Sequence, residues 1–204
     1  MQVRSGAQTA HSSTVQNGVL IRRRCPCDSG WADVDGVVGN GCECAVTAEP
    51  AGGESCDTAI DLGTIDDSGE SLTAEGSIVP ADDQDWFRFT ATDTQPAGCD
   101  RFYVDVRFAE NPEEQFAFEV FVGDCATNMC AGDVLFSYAT DFIDTTGPEI
   151  RGECPCATTN TAGKNTCMDS SQTFYVRVRR VSVSSGGTCD GYSLIITNGT
   201  YSTP

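Results

Sequence analysis

The stretch Pro80-Ala81-Asp82-Asp83-Gln84-Asp85, followed by Trp86-Phe87-Arg88-Phe89-Thr90-Ala91, decides the fold. A turn of acids runs into a segment whose apolar and polar side chains alternate, and a period of two places them on opposite faces of a strand. The same period recurs over residues 102–108, 116–122, 134–138, 174–183 and 192–197, with shorter apolar stretches at 56–62 and 71–79. Clusters of Gly, Asp, Asn and Pro separate these segments, and no stretch has the length and spacing of an amphipathic helix. About six to nine such strands predict an all-β chain folded as an antiparallel β-sandwich. Tyr103-Val104-Asp105-Val106-Arg107 and Val176-Arg177-Val178-Arg179 have the polar alternation of sheets with one wet face.

The chain has 204 residues, 12 of them Lys or Arg and 30 Asp or Glu, for a formal charge of −18. That charge repels phosphate backbones and anionic lipid, which argues against nucleic-acid and membrane-surface partners. No run of about 18 apolar residues is present, so no membrane span is expected. The apolar fraction of 39% suffices for one sandwich-sized core with a small appended module. Three parts are expected: a basic arm at 1–24, a cysteine-rich module at 25–47, and the sandwich at 48–204.

Charge is unevenly placed. Residues 1–24 contain Arg4, Arg22, Arg23 and Arg24 and no acid, whereas residues 25–204 hold 8 basic and 30 acidic side chains. Within the arm, residues 14–24 read as a strand, with β-branched Val15, Val19 and Ile21 around a break at Gly18. An isolated strand leaves its backbone groups unpaired, so it requires a sheet edge. Val15, Val19, Ile21, Arg22, Arg23 and Arg24 are therefore the expected assembly residues. Opposite charge on arm and body favours contact within one molecule or between copies.

The twelve cysteines are Cys25, Cys27, Cys42, Cys44, Cys56, Cys99, Cys125, Cys130, Cys154, Cys156, Cys167 and Cys189. An even, dispersed set of this size predicts disulfides and a secreted, extracellular or cell-surface protein. Zinc is the competing reading of the C-x-C pairs Cys25/Cys27 and Cys154/Cys156, but structural zinc favours C-x2-C knuckles or histidines and His11 is the only histidine. The expected bridges are two within residues 25–44, Cys125 with Cys130 as a small hairpin bridge, and Cys154 or Cys156 with Cys167. The opening Met-Gln-Val-Arg carries no apolar signal region, so a signal peptide is expected to have been removed or to precede Met1.

Asp33-Val34-Asp35-Gly36, followed by Asn40-Gly41-Cys42-Glu43, sets oxygen ligands at alternating positions with a glycine for the sharp turn, like the first half of a calcium loop. The other reading is an Asx-rich turn with exposed acids. Residues 30–44 resemble the short G-x-A-D-C-D-G…N-G-C-E cysteine repeats of secreted and surface proteins in myxobacteria. Val34 stands where that repeat has a cysteine, so its pairing does not transfer.

The body resembles a second family. Glu75-Gly-Ser-Ile-Val-Pro-Ala-Asp-Asp-Gln-Asp-Trp-Phe-Arg-Phe, with Phe174-Tyr-Val-Arg-Val and Tyr192-Ser-Leu-Ile-Ile-Thr, is similar to the bacterial pre-peptidase C-terminal domain over residues 48–198. The resemblance implies a jelly-roll-like sandwich in which an E-P-N-D linker and the acids of the turn bind calcium. Glu49-Pro50 matches that linker, Ala51 and Gly52 replace its polar positions, and Asp82, Asp83 and Asp85 keep the turn acids. A solvated acidic turn opposite Arg88 or Arg101 is the alternative.

Catalysis has little material. His11 lies in the polar arm, the cysteines are expected to be oxidised, and no G-x-S-x-G, P-loop or dinucleotide fingerprint occurs. Trp31, Trp86 and Tyr201 are candidates for a carbohydrate platform, although Trp86 is expected in the core; Asn198-Gly-Thr200 has the glycosylation pattern. The expected function is that of a non-catalytic structural subunit of an extracellular filament or surface assembly, joined to its own copies by the N-terminal strand. The alternative is a calcium-dependent adhesion or substrate-targeting module that binds a matrix protein or polysaccharide.

Overall fold

Alternating side chains form strands, and the strands stack in two layers. The computed structural model describes residues 13–16, 19–22, 27–34, 41–45, 52–79, 82–94, 102–126, 128–129, 135–140, 171–181 and 189–199. Its strands are β1 (Ser13–Gln16), β2 (Val19–Arg22), β3 (Trp31–Ala32), β4 (Cys44–Ala45), β5 (Ile60–Asp66), β6 (Ser71–Gly76), β7 (Gln84–Thr92), β8 (Val104–Glu110), β9 (Phe116–Val122), β10 (Ser137–Ala139), β11 (Gln172–Arg180) and β12 (Tyr192–Asn198). One four-stranded sheet has the order β10-β8-β12-β6 and the other β5-β7-β11-β9; β1 pairs with β2, and β3 with β4. The chain is an all-β sandwich.

One pair departs from the antiparallel expectation: β5 runs parallel to β7, with Ile60 opposite Phe87 and Ile65 opposite Ala91. The reason is the path of the chain. After β5 a turn at residues 67–69 carries it into β6 of the other sheet, so β5 has no hairpin partner in its own layer.

The core lies between the layers. Phe87, Phe89 and Ala91 of β7, Phe116, Phe118 and Val120 of β9, and Phe174, Val176 and Val178 of β11 face Ala74, Val104, Val106, Tyr138, Leu194 and Ile196, and all are buried. Rings cross the interface: the Phe108 and Phe118 centroids are 5.4 Å apart, and those of Phe116 and Tyr192 5.3 Å. Burial of the apolar face, at about 25 cal/mol per Å2, is what selects the strand register.

Buried polar groups fasten the layers, Asn198 and Arg180 among them. The Asn198 side chain is fully buried; its Oδ1 accepts the Tyr103 N–H at 3.0 Å and its Nδ2 donates to the Thr92 carbonyl at 3.1 Å and the Ile65 carbonyl at 3.5 Å. The glycosylation pattern at Asn198 thus falls on an amide committed to the fold. Arg180 donates from Nε to the Ile78 carbonyl at 2.9 Å and from a terminal nitrogen to Gln115 Oε1 at 2.8 Å, with its guanidinium 4.9 Å from the Phe116 ring centre. Burial pulls the Arg180 pKa below the usual arginine value.

Trp86 is buried, but not in the core. It alternates with Phe87 and Phe89, so it lies on the outer face of its sheet, 5.2 Å from the Phe121 ring and 5.2 Å from the Arg177 guanidinium. A disulfide, Cys56 to Cys125, with a Cα–Cα distance of 6.3 Å, ties the segments flanking this sheet. Cys56 precedes edge strand β5 and Cys125 follows the opposite edge strand β9. These edges lie three strand spacings apart, roughly 14 Å, so the joined segments reach across the outer face. The expected Cys125–Cys130 bridge is replaced for this reason. Residues 128 and 129 instead run along β9, where the Met129 N–H donates to the Val120 carbonyl at 2.9 Å and Asn128 bridges to Phe121.

The small module is held differently from the two internal bridges expected. Cys27 joins Cys42 within it, whereas Cys44 joins Cys189 of the body, 145 residues away. Ala32, Val34 and Cys44 pack with Val79 of the body in a second small core. Too short for a core of its own, the module borrows one. Cys25, Cys99, Cys130, Cys154, Cys156 and Cys167 lie outside the described residues.

Candidate functional site

The residues singled out from the sequence fall in three places. In the arm, the single strand expected over 14–24 is two strands, β1 and β2, paired antiparallel with Ser13 opposite Arg22 and Gln16 opposite Val19. Val15, Val19, Ile21 and Arg22 lie within these strands, and Arg23 and Arg24 lie outside the described residues. A sequence signal for this was present: Asn17-Gly18 between two β-rich runs is the dipeptide of tight hairpins. Read as a break, Gly18 concealed it.

The second place is the acidic turn. The linker meets it directly: the Trp86 N–H donates to the Gly53 carbonyl at 2.8 Å, and the Gly53 N–H to the Thr58 carbonyl at 2.7 Å. Gly53 has φ +95°, which favours a residue without a side chain. Burial raises the Asp83 pKa above the usual carboxylate range, and the negative charges of Glu54 and Asp82 act in the same direction, against the Gln84 N–H bond that lowers it. Glu54 is thus a turn neighbour that sequence reading missed. Asp85 behaves differently: it is buried at 2% exposure, and its Oδ2 accepts the Tyr192 hydroxyl. Gly76 makes room for that pair, since a Cβ there would lie 2.5 Å from Asp85 Oδ2 and 2.6 Å from the Tyr192 hydroxyl. Asp82 is exposed, and Glu49 lies outside the described residues.

The third place is the module. Glu43 Oε2 accepts the Val34 N–H at 3.2 Å, while Glu43 Oε1 and Asp33 Oδ1 are buried without a hydrogen-bond partner. Two carboxylate oxygens shielded from water and unpaired are costly unless a cation or donor meets them. They are donors of the hard-oxygen type that calcium uses, so Asp33 and Glu43 fit it, whereas Asp85 is engaged by Tyr192. Asp35 and Asn40 lie outside the described residues. Among the described residues, no three His, Cys, Asp or Glu side chains gather closely enough to form a metal cluster.

Charge pairs occupy the outer faces. Arg177 and Arg179 both approach Glu119, and Arg88 meets Asp61 at 2.7 Å. On the other sheet Arg107 pairs with Asp105, whose carboxyl is nevertheless pushed above the usual range by burial, Arg107 acting against that rise. A carboxyl whose folded pKa exceeds its unfolded one binds more protons when folded, so its contribution to stability falls as pH rises through the interval between the two values. Asp105 and Asp83 therefore favour the fold below that interval, which begins near the ordinary aspartate value of about 3.9. Exposed Asp61, lowered by its Gly63 N–H bond, acts in the opposite sense. We expect Asp105 and Asp83 to raise the denaturation midpoint as pH falls through this interval, and Asp105→Asn to flatten that rise; an unchanged slope in Asp105→Asn would refute the assignment.

No helix among the described residues is long and apolar enough to cross a membrane. No protein-family model matches the chain, and no curated protein matches it.

Proposed function

We propose that this chain is a secreted, disulfide-stabilised, non-catalytic structural protein, a subunit of an extracellular filament or surface assembly that its N-terminal arm joins to neighbouring copies. The observation that carries this reading is the β1–β2 hairpin on a basic arm beside a strongly acidic body. A two-stranded hairpin of four-residue strands is marginal on its own in water and gains stability by joining a larger sheet. Residues 25–87 offer it fifteen acids and no Lys or Arg, so arm and body attract at range. Strand addition supplies main-chain hydrogen bonds as the adhesive, and a head-to-tail contact of this kind yields open polymers unless its rotation closes. The three disulfides among the described residues support an oxidising, extracellular setting.

Deleting residues 1–24 is expected to convert assemblies to monomers with the sandwich intact. Negative-stain imaging and sedimentation of the purified full chain and the deletion check this, and polymers that survive the deletion would overturn the reading.

A second reading is favoured by the buried, unpartnered oxygens of Asp33 and Glu43: a calcium-dependent adhesion or substrate-targeting module, as resemblance to the pre-peptidase C-terminal domain suggests. There Asp33 and Glu43 would hold the ion, and calcium would stiffen the module against the body. Retention on a matrix protein or polysaccharide, lost with chelator, would support it; no retention under either condition removes it.

A further inference from the structure

Among the described residues the sandwich has four edge strands, and they are not equally open. β10 is three residues long. β9 is covered by its own loop, with the Phe118 N–H donating to the Leu135 carbonyl at 3.0 Å and the Met129 N–H to Val120. β5 is broken by a register shift between Asp61 and Thr64, with Gly63 at φ +94°. Short strands, bulges and covering loops are the usual devices that blunt an edge. Among the described residues β6 has none of them: its register against β12 is unbroken from Tyr192 opposite Gly76 to Thr197 opposite Ser71, it contains no proline, and no described strand lies beyond it.

The hydrogen-bond phase of β6 follows from the neighbouring ladder. The Gly199 N–H donates to the Tyr103 carbonyl at 3.0 Å, one step beyond the last register pair of β12 and β8, Asn198 opposite Val104. Antiparallel pairs alternate between bonded and non-bonded, so Ile195 and Thr197 turn their backbone groups to β8, while Tyr192, Leu194 and Ile196 turn theirs to β6. Their partners there are Gly76, Ala74 and Leu72. Ser71, Thr73 and Glu75 are left with N–H and C=O directed away from the sheet, and all three are exposed. Glu75 lies on this strand and Glu70 immediately precedes it, and the sequence carries no basic residue from 25 to 87.

We infer that β6 is the acceptor edge on which the N-terminal hairpin of a second copy docks, extending the β10-β8-β12-β6 sheet with the outward backbone groups of Ser71, Thr73 and Glu75. This rests on the self-assembly reading above and names its missing half. The occupant is set by charge and by need. Among the described residues the hairpin is a two-stranded sheet fragment, and in sequence its β2 runs into Arg22, Arg23 and Arg24, which complement the acids beside β6.

Thr73→Pro is the decisive variant. Proline removes an N–H that β12 does not use, and an edge position with its N–H facing solvent is one where a sheet accepts proline. In the full chain, Thr73→Pro is expected to abolish polymers in sedimentation and negative stain while keeping the β-sheet circular dichroism and cooperative unfolding of the parent. A second variant that leaves the backbone untouched, Glu70→Lys/Glu75→Lys, is expected to raise the concentration needed for assembly at least about tenfold, equivalent to about 1.4 kcal/mol. If deletion of residues 1–24 abolishes polymers but Thr73→Pro and the double lysine variant polymerise like the parent, the acceptor edge is wrong and the arm's role stands. If the deletion itself still polymerises, both fail.

Discussion

Phe118→Ala is expected to lower the stability of the folded chain by about 3–5 kcal/mol, the range for truncating a buried phenylalanine. Phe118 is fully buried on β9, opposite Val178 of β11, and its ring meets Phe108 of the other sheet at 5.4 Å. Truncation therefore removes transfer free energy and opens a cavity between two layers that cannot both collapse into it. Against a typical total of about 5–15 kcal/mol, the loss is a large fraction of all there is. Phe136→Ala is the control: Phe136 is 42% exposed, and its replacement is expected to change stability by less than about 0.5 kcal/mol. Urea midpoints of the two variants should separate clearly, and near-equal midpoints would mean that the core does not run through β9.

Replacing Cys44 and Cys189 together by alanine is expected to cost about 2–5 kcal/mol and to loosen the N-terminal module first. The bridge closes 145 residues of chain, and by the chain-entropy account long loops gain most. The nested Cys56–Cys125 bridge already shortens that loop in the unfolded chain, which moderates the gain. Without the bridge, among the described residues the module keeps the small contact of Ala32 and Val34 with Val79, too little to hold it by burial alone. Limited proteolysis should then cut near residues 45–52 before the sandwich opens, and thermal unfolding should begin earlier. A variant with the parent's cleavage pattern and midpoint would show that packing, not the bridge, docks the module.

Where the side-chain period was long and regular, the elements were legible. β7, β9, β11 and β12 fall where alternation of Phe, Val and Ile with polar residues placed them, because one apolar face must turn inward and a slip of one residue would expose it. β5 was legible only as an apolar stretch, since its parallel pairing depends on the turn that takes the chain to the other sheet. The hairpin of β1 and β2 was written in Asn17-Gly18 but read as a single interrupted strand. The site residues divide in the same way. Asp82, Asp83 and Asp85 are consecutive acids on paper, yet Asp85 is taken up by Tyr192, 107 residues further on. Glu54 entered the turn only through the linker's path past Trp86.

By itself, then, the sequence determined an all-β chain, a basic arm on an acidic body, and a cysteine content suited to an oxidising setting. These depend on composition and on the period of two, which are local properties of the chain. Tertiary structure alone decided which of the described cysteines meet, that Trp86 is buried on an outer face, that Asn198 is locked between the layers, and that, among the described residues, β6 has no strand beyond it. Each of these depends on how far apart two points of the chain come to lie after the sheets have stacked, and no local pattern encodes that distance.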